Sequence, residues 1–192
     1  MLTRRHAIWL APAGVLVAGV AAAGWIGLQQ RPAKAAIGGP FELVDGDGRV
    51  VTDRDFRGKW MLVYFGYTHC PDACPTALQD MANALDLLGP KKKDAALLFV
   101  TVDPARDTPA VMKDYVSNFE APITALSGTP EQVAKAAKEY RVYYAKHPTK
   151  DGGYDMDHSS IIYVMDPSGD FVTNFTHETA PEQIAAKLRN LM

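Results

Sequence analysis

The chain's two cysteines, Cys70 and Cys74, stand four apart in the stretch YFGYTHCPDACPTAL, and each is followed by a proline. Two sulfurs at that spacing can close a disulfide, pass electrons as a dithiol, or hold a soft metal as thiolates. A purely structural disulfide is the poorest use of them, because so short a ring removes little entropy from the unfolded chain. Redox or metal chemistry is the better reading.

The prolines fix where the sulfurs sit. Proline lacks an N–H and is tolerated only in the first turn of a helix. A helix begun at Pro71 would meet Pro75 beyond that turn. The pattern therefore puts Pro75 at the first helical position, Cys74 just before it, and 70–73 in a tight turn between a strand and the helix. Cys74 then faces the positive end of the helix, which favours its thiolate. The carboxyl end of a strand is also where open α/β sheets keep their chemistry.

The elements around the pair follow from periodicity and punctuation. PFELVDGDGRVVT holds a Gly-containing turn between two apolar runs and predicts a hairpin. WMLVYFGY (60–67) and AALLFVTV (95–102) predict buried strands. Leu78, Met81, Ala82, Leu85 and Leu88 have helical spacing, and Gly89-Pro90 ends that helix. Thr108-Pro109 opens a helix to about Phe119 and Thr129-Pro130 one to about Tyr140, with the strand candidate APITAL between them. Residues 141–158 read as a hairpin or a long loop around DGG. SSIIYVMD and FVTNFT flank the turn PSGD, and Pro181 opens a last helix to about Leu191. A hairpin, then β-α-β-α-β-α, then an antiparallel hairpin and a helix is the thioredoxin-like plan. A flavodoxin-like sheet is the alternative, but it would want a further parallel strand in place of the closing hairpin.

That plan bears on a third ligand. His6 lies in the N-terminal segment, His69 adjoins Cys70, His147 is in the irregular stretch and His177 precedes the last helix. His158 comes just before strand 160–165, which in a thioredoxin-like sheet runs antiparallel to strand 60–65 and so starts beside Cys70 and Cys74. Spacing and topology leave His158 open between a surface residue and a ligand. Met156 is a candidate soft fourth ligand, with core or loop filler as its plainer use. Asp72 reads as a turn-former. Asp103 reads either as an outer partner that supports a ligand or as a turn aspartate before Pro104.

Composition sets the class. The 192 residues are 47% hydrophobic and 22% charged, with a formal net charge of -2. No basic face stands out, which argues against nucleic acid as a partner, and Lys91, Lys92 and Lys93 read as a solvated loop. The N-terminus is different. Arg4 and Arg5 precede an uncharged run from Ala7 to Leu28. As a helix this run would be about 33 Å long, enough to cross a bilayer. Trp9 and Trp25 lie near its ends, and the arginines predict a cytoplasmic N-terminus with the rest exported. The chain thus divides into an anchor at 1–28, a tether at 29–39 and one domain at 40–192. The alternative is a cleaved signal with an Ala-x-Ala site ending at Ala35.

GYTHCPDACP, VTVDPARDTP and DHSSIIYVMDPSG, in that order, closely resemble the SCO/SenC family of cytochrome oxidase copper chaperones over about residues 40–190. The resemblance implies a thioredoxin-like fold behind a membrane anchor, and copper held by the two cysteines of CxxxC and a distal histidine, here Cys70, Cys74 and His158. The family's aspartate in VDPARDTP maps onto Asp103. Two thiolates and an imidazole suit Cu(I), with Cu(II) the other state left open.

The implied function is a metallochaperone, not an enzyme, in the bacterial inner membrane with its domain facing the periplasm. It would deliver copper to the dinuclear site of the copper-binding subunit of cytochrome c oxidase. Another copper chaperone or a thioredoxin-like reductant would be a further partner. The alternative is a thiol-disulfide reductase that keeps the oxidase's copper-site cysteines reduced. Such reductases carry a proline before the strand that faces the cysteines, where this chain has DHSS. A peroxidase is weaker still, because Pro71 and Asp72 follow Cys70 where a Thr-x-x-Cys arrangement would be needed.

Overall fold

The computed structural model of the protein describes residues 37–192. The expected anchor at 7–28 and most of the expected tether lie outside the described residues. Among those described, no helix is long and apolar enough to cross a membrane.

The elements run β1 (Glu42–Asp45), β2 (Val50–Thr52), β3 (Trp60–Gly66), α1 (Ala73–Leu87), β4 (Ala95–Thr101), α2 (Pro109–Val116), β5 (Ile123–Ser127), α3 (Pro130–Glu139), β6 (Tyr144–Pro148), β7 (Tyr154–His158), β8 (Ile161–Met165), β9 (Phe171–Thr176) and α4 (Pro181–Leu191). Seven strands form one sheet in the order β2-β1-β5-β4-β3-β8-β9. β3, β4 and β5 are parallel, β8 is antiparallel to β3, and β9 is antiparallel to β8. The closing hairpin is thus the one the thioredoxin-like plan requires, and no further parallel strand takes its place. The N-terminal hairpin is present as β1–β2, turning at Gly48, whose φ of 82° favours a residue without Cβ.

The uninterrupted apolar run of β3 reflects burial on both faces, from Met61 to Gly66. On one face Phe65 meets Tyr140, at the end of α3, and Tyr163 of β8. On the other, Tyr64 stacks on Phe99 of β4. Helix α1 buries Cys74, Ala77, Leu78, Met81, Ala84 and Leu85, the three-and-four spacing of a single helical face, and packs on α4. Each fully buried leucine contributes about 1.5–3 kcal/mol.

Two boundaries depart from the sequence reading, each for a local reason, and the hairpin offered for residues 141–158 is present. Helix α2 stops at Val116, not near Phe119. Ser117 Oγ donates to the Asp114 carbonyl at 2.6 Å and Asn118 Nδ2 to the Tyr115 carbonyl at 3.0 Å, so side chains take up the helix's last acceptors. Helix α1 starts at Ala73, two residues before Pro75. The proline is tolerated there because the first four N–H groups of a helix have no partner within it. Residues 144–158 form a two-stranded sheet of their own, β6–β7, which stands apart from the main sheet.

Gly66 ends β3 where α1 begins to pack. A Cβ at this position would lie 2.5 Å from Cys74 Sγ, 3.0 Å from the Phe99 ring and 3.1 Å from the Tyr64 ring. Overpacking of this kind costs about 1–3 kcal/mol. Gly66→Ala should therefore lower stability by that amount in chemical denaturation. An unchanged midpoint and slope would show that α1 is free to move away from the sheet end.

Candidate metal centre

The register of β3 against β8 assembles the site. Tyr64 pairs with Ile162, so the residues before β8 lie beyond the end of β3, beside the loop that carries Cys70. His158, the last residue of β7, is placed there. Its Nε2 lies 3.4 Å from Cys74 Sγ. The two sulfurs and the imidazole nitrogen all lie within 4.8 Å of one another. Three ligands bound at about 2.0–2.3 Å around one ion sit roughly 3.5–4 Å apart, so the set needs little adjustment to close on a metal.

The imidazole is oriented from several sides. Its Nδ1 is 3.3 Å from the Ser159 carbonyl. A carbonyl only accepts, so the proton is assigned to Nδ1 and the Nε2 lone pair is left toward the sulfurs. The rings of Tyr64 and Tyr67 meet it edge-on at 87°, with centroids 6.0 and 5.7 Å away. Edge-to-face contacts at these distances hold an aromatic plane.

The two cysteines differ, and not in the way the prolines suggested. Cys74 lies inside the first turn of α1 and is fully buried, whereas Cys70 is half-buried in the loop. The helix N–H of Cys74 points to Cys70 Sγ at 3.4 Å. The neighbouring Cys74 thiol holds the Cys70 pKa well below the usual thiol range. The backbone N–H groups of Asp72 and Cys74 add to this, against burial. The nearby Cys70 sulfur, and then burial, push Cys74 up. The thiolate is therefore Cys70, correcting the expectation that the helix end would favour Cys74. The helix start moved by two residues, and its N–H groups reach back to the loop sulfur.

Other candidates fall outside the cluster. His69 is exposed, with Nδ1 3.1 Å from the Thr68 hydroxyl. His147 pairs with Asp157 at 2.8 Å. Asp72 precedes α1 without a side-chain cap bond, and Met156 is buried in the hydrophobic core. Asp103 is buried and accepts from Arg106 Nε and, at 3.0 Å, from the Tyr154 hydroxyl. No hydrogen bond among the described residues joins Asp103 to Cys70, Cys74 or His158.

Asp107 escaped the sequence reading. Fully buried, it accepts from the Thr68 N–H at 3.0 Å, the Thr68 hydroxyl at 2.6 Å and the Thr101 hydroxyl at 2.7 Å. Its own carbonyl accepts from Ser127 Oγ at 2.5 Å. The carboxylate thus ties the end of β4 to the loop two residues before Cys70, and the backbone carbonyl of the same residue holds the end of β5. In sequence it stood between an arginine and a helix cap, where an aspartate ordinarily faces water, and nothing local marked it.

A family model described as SCO1/SenC matches residues 29–192. The mitochondrial SCO1 homolog 1 of Arabidopsis thaliana is 44% identical over 140 residues, 72% of this chain and 42% of the relative. The chain thus spans less than half of that protein's length. Protein SenC of Rhodobacter capsulatus is 42% identical over 153 residues, 80% of this chain and 69% of the relative. The solved structure of Bradyrhizobium japonicum ScoI with copper bound is 48% identical and superposes with a TM-score of 0.76, covering 82% of this chain and 100% of that one. The parallel core, the closing antiparallel hairpin and the match over nearly the whole described domain agree: this chain has a thioredoxin-like fold and belongs to the SCO1/SenC family.

Proposed function

We propose that Cys70, Cys74 and His158 hold one Cu(I) ion as cargo, and that the protein hands it to the copper-binding subunit of cytochrome c oxidase. The observation that carries this reading is the convergence of two sulfurs and one imidazole within 4.8 Å. Thiolates with imidazole are a soft set that suits Cu(I), whereas a structural zinc site would close with a fourth ligand. The half-buried Cys70 gives the ion a side from which a recipient's ligands can take it. The copper-bound Bradyrhizobium relative supports the choice of metal, and family membership supports the oxidase as recipient.

On this reading, residues 7–28 anchor the protein in the bacterial inner membrane with the domain on the periplasmic side, and another copper chaperone or a thioredoxin-like reductant serves it. The second reading is a thiol-disulfide reductase acting on the recipient's cysteines. It is favoured by one feature, a half-buried Cys70 sulfur that accepts from the helix N–H of Cys74 at 3.4 Å and is held below the usual thiol range, which suits a nucleophile.

Oxidation joins the two sulfurs in a disulfide, removing two electrons and the proton that Cys74 still holds, and leaves the imidazole as the single ligand. The reduced domain should bind about one Cu(I), consistent with one soft S₂N set. Equal uptake after complete oxidation of the pair would contradict the site.

Metal binding should also report how the protons are held. With Cys70 ionised and Cys74 protonated, Cu(I) displaces a single thiol proton. Near pH 7.5 about one proton should be released per copper, and affinity should rise about tenfold per pH unit. Release of two protons would mean that Cys70 is also protonated there.

His158→Ala separates the two functions. It takes away one of three copper bonds and leaves the dithiol intact. Copper affinity should fall by more than the tenfold to hundredfold typical of losses outside the ligand set. A folded variant should fail to restore oxidase activity in a strain lacking the protein. Full rescue by it, with Cys70→Ser inactive, would promote the reductase.

A further inference from the structure

The strand that ends in His158 belongs to the β6–β7 hairpin, which shares no ladder with the main sheet. Something else must fix its angle against the sheet end. At the far end of the same strand stands Tyr154, and its surroundings are unusual. The Arg106 guanidinium lies over the Tyr154 ring, 3.9 Å from its centroid, and Arg106 Nη1 donates to the Tyr154 carbonyl at 3.0 Å. Arg106 Nε donates to the buried Asp103, which also accepts from the Tyr154 hydroxyl. Lys146 Nζ lies 3.4 Å from the same ring centroid. Two cationic groups this close to one centroid cannot share a face, so the ring is held between them.

The guanidinium reaches the site by a second route. It also lies 5.7 Å from the centroid of Tyr67, the ring that meets His158 edge-on. Its Nη2 is buried without a hydrogen-bond partner among the described residues. Full satisfaction of its donors is therefore not what sets its position. The two tyrosine faces, the Tyr154 carbonyl and Asp103 set it. Arg106 itself touches neither sulfur nor imidazole in the described contacts.

We propose that Arg106, oriented by Asp103, is a positioning residue for His158: it clamps Tyr154 at the start of β7 and braces Tyr67, so that the imidazole at the end of that strand meets the two sulfurs. The inference rests on the reading of His158 as a copper ligand. It extends that reading to how a ligand on a separate hairpin is held in place. It also gives Asp103 a role one step further out than a direct partner of a ligand.

The test is a double-mutant cycle in the full domain, with Cu(I) affinity measured by competition against a Cu(I) chelator, and with NMR of the metal-free protein. In the parent background, Arg106→Ala should lower Cu(I) affinity by about tenfold to a hundredfold. In the His158→Ala background the same change should have almost no effect, because the ligand it positions is already gone. In the metal-free Arg106→Ala protein the His158 and Tyr67 ring resonances should shift or broaden, while the amides of β3 and β8 stay in place.

Equal losses of affinity in both backgrounds, or an unmoved His158 ring in the metal-free variant, would overturn the proposal. Tyr154→Leu breaks the clamp from the other side and should behave alike. If both variants fail to fold, Arg106 serves the fold as a whole and the proposal fails. If His158→Ala alone loses no affinity, the copper-ligand reading fails, and the metal-free spectrum still decides whether Arg106 sets the His158 ring.

Discussion

The antiparallel pairing of β8 with β3 is the constraint on which the site depends. The sulfurs belong to the segment that leaves β3, and the imidazole to the segment that enters β8. Only with the two strands running in opposite directions do these segments share one edge of the sheet. Were β8 parallel to β3, His158 would lie at the other end of a seven-residue strand, roughly 20 Å from the cysteines. The closing hairpin that separates this fold from a doubly wound sheet is thus also what makes a three-ligand centre possible.

Around that edge, charge and space are managed by few groups. Of the two sulfurs, the half-exposed one that accepts from the helix N–H of Cys74 is the one drawn toward the thiolate. The buried sulfur keeps its proton until a metal or an oxidant takes its place. Gly66 gives that buried sulfur room against the sheet. Asp107 is a carboxylate in the interior, which would cost several kcal/mol without partners. The three hydrogen bonds it accepts offset that cost and fix the loop ahead of Cys70. A site prepared in this way would bind a metal with little reorganisation.

Much of this was legible in the residues. The apolar runs of β3 and β4, the Thr-Pro openings of α2 and α3 and the closing hairpin each carry a strong local signal; the topology they imply brings His158 beside the cysteines, and the family resemblance singled it out as a ligand. What was not legible depended on distant contacts. The start of α1 could not be placed from its prolines alone, because a first-turn proline is compatible with several starts, and the two-residue shift reversed which cysteine is the thiolate. Nothing local marked Asp107 or Arg106, which stand beside a helix cap. Thr68, Thr101 and Tyr154 give them their roles, and these residues come together only in the folded chain. The separate β6–β7 sheet was ambiguous because its polar, Gly-rich sequence fits a loop equally well.

The most direct test of the account is X-ray absorption at the copper edge of the reduced, Cu(I)-loaded domain, with His158→Ala measured beside it. The account predicts two sulfur ligands and one imidazole nitrogen in the parent. The imidazole scattering should vanish in the variant while the sulfurs remain. A parent spectrum with sulfur ligands alone, or one that His158→Ala leaves unchanged, would contradict it.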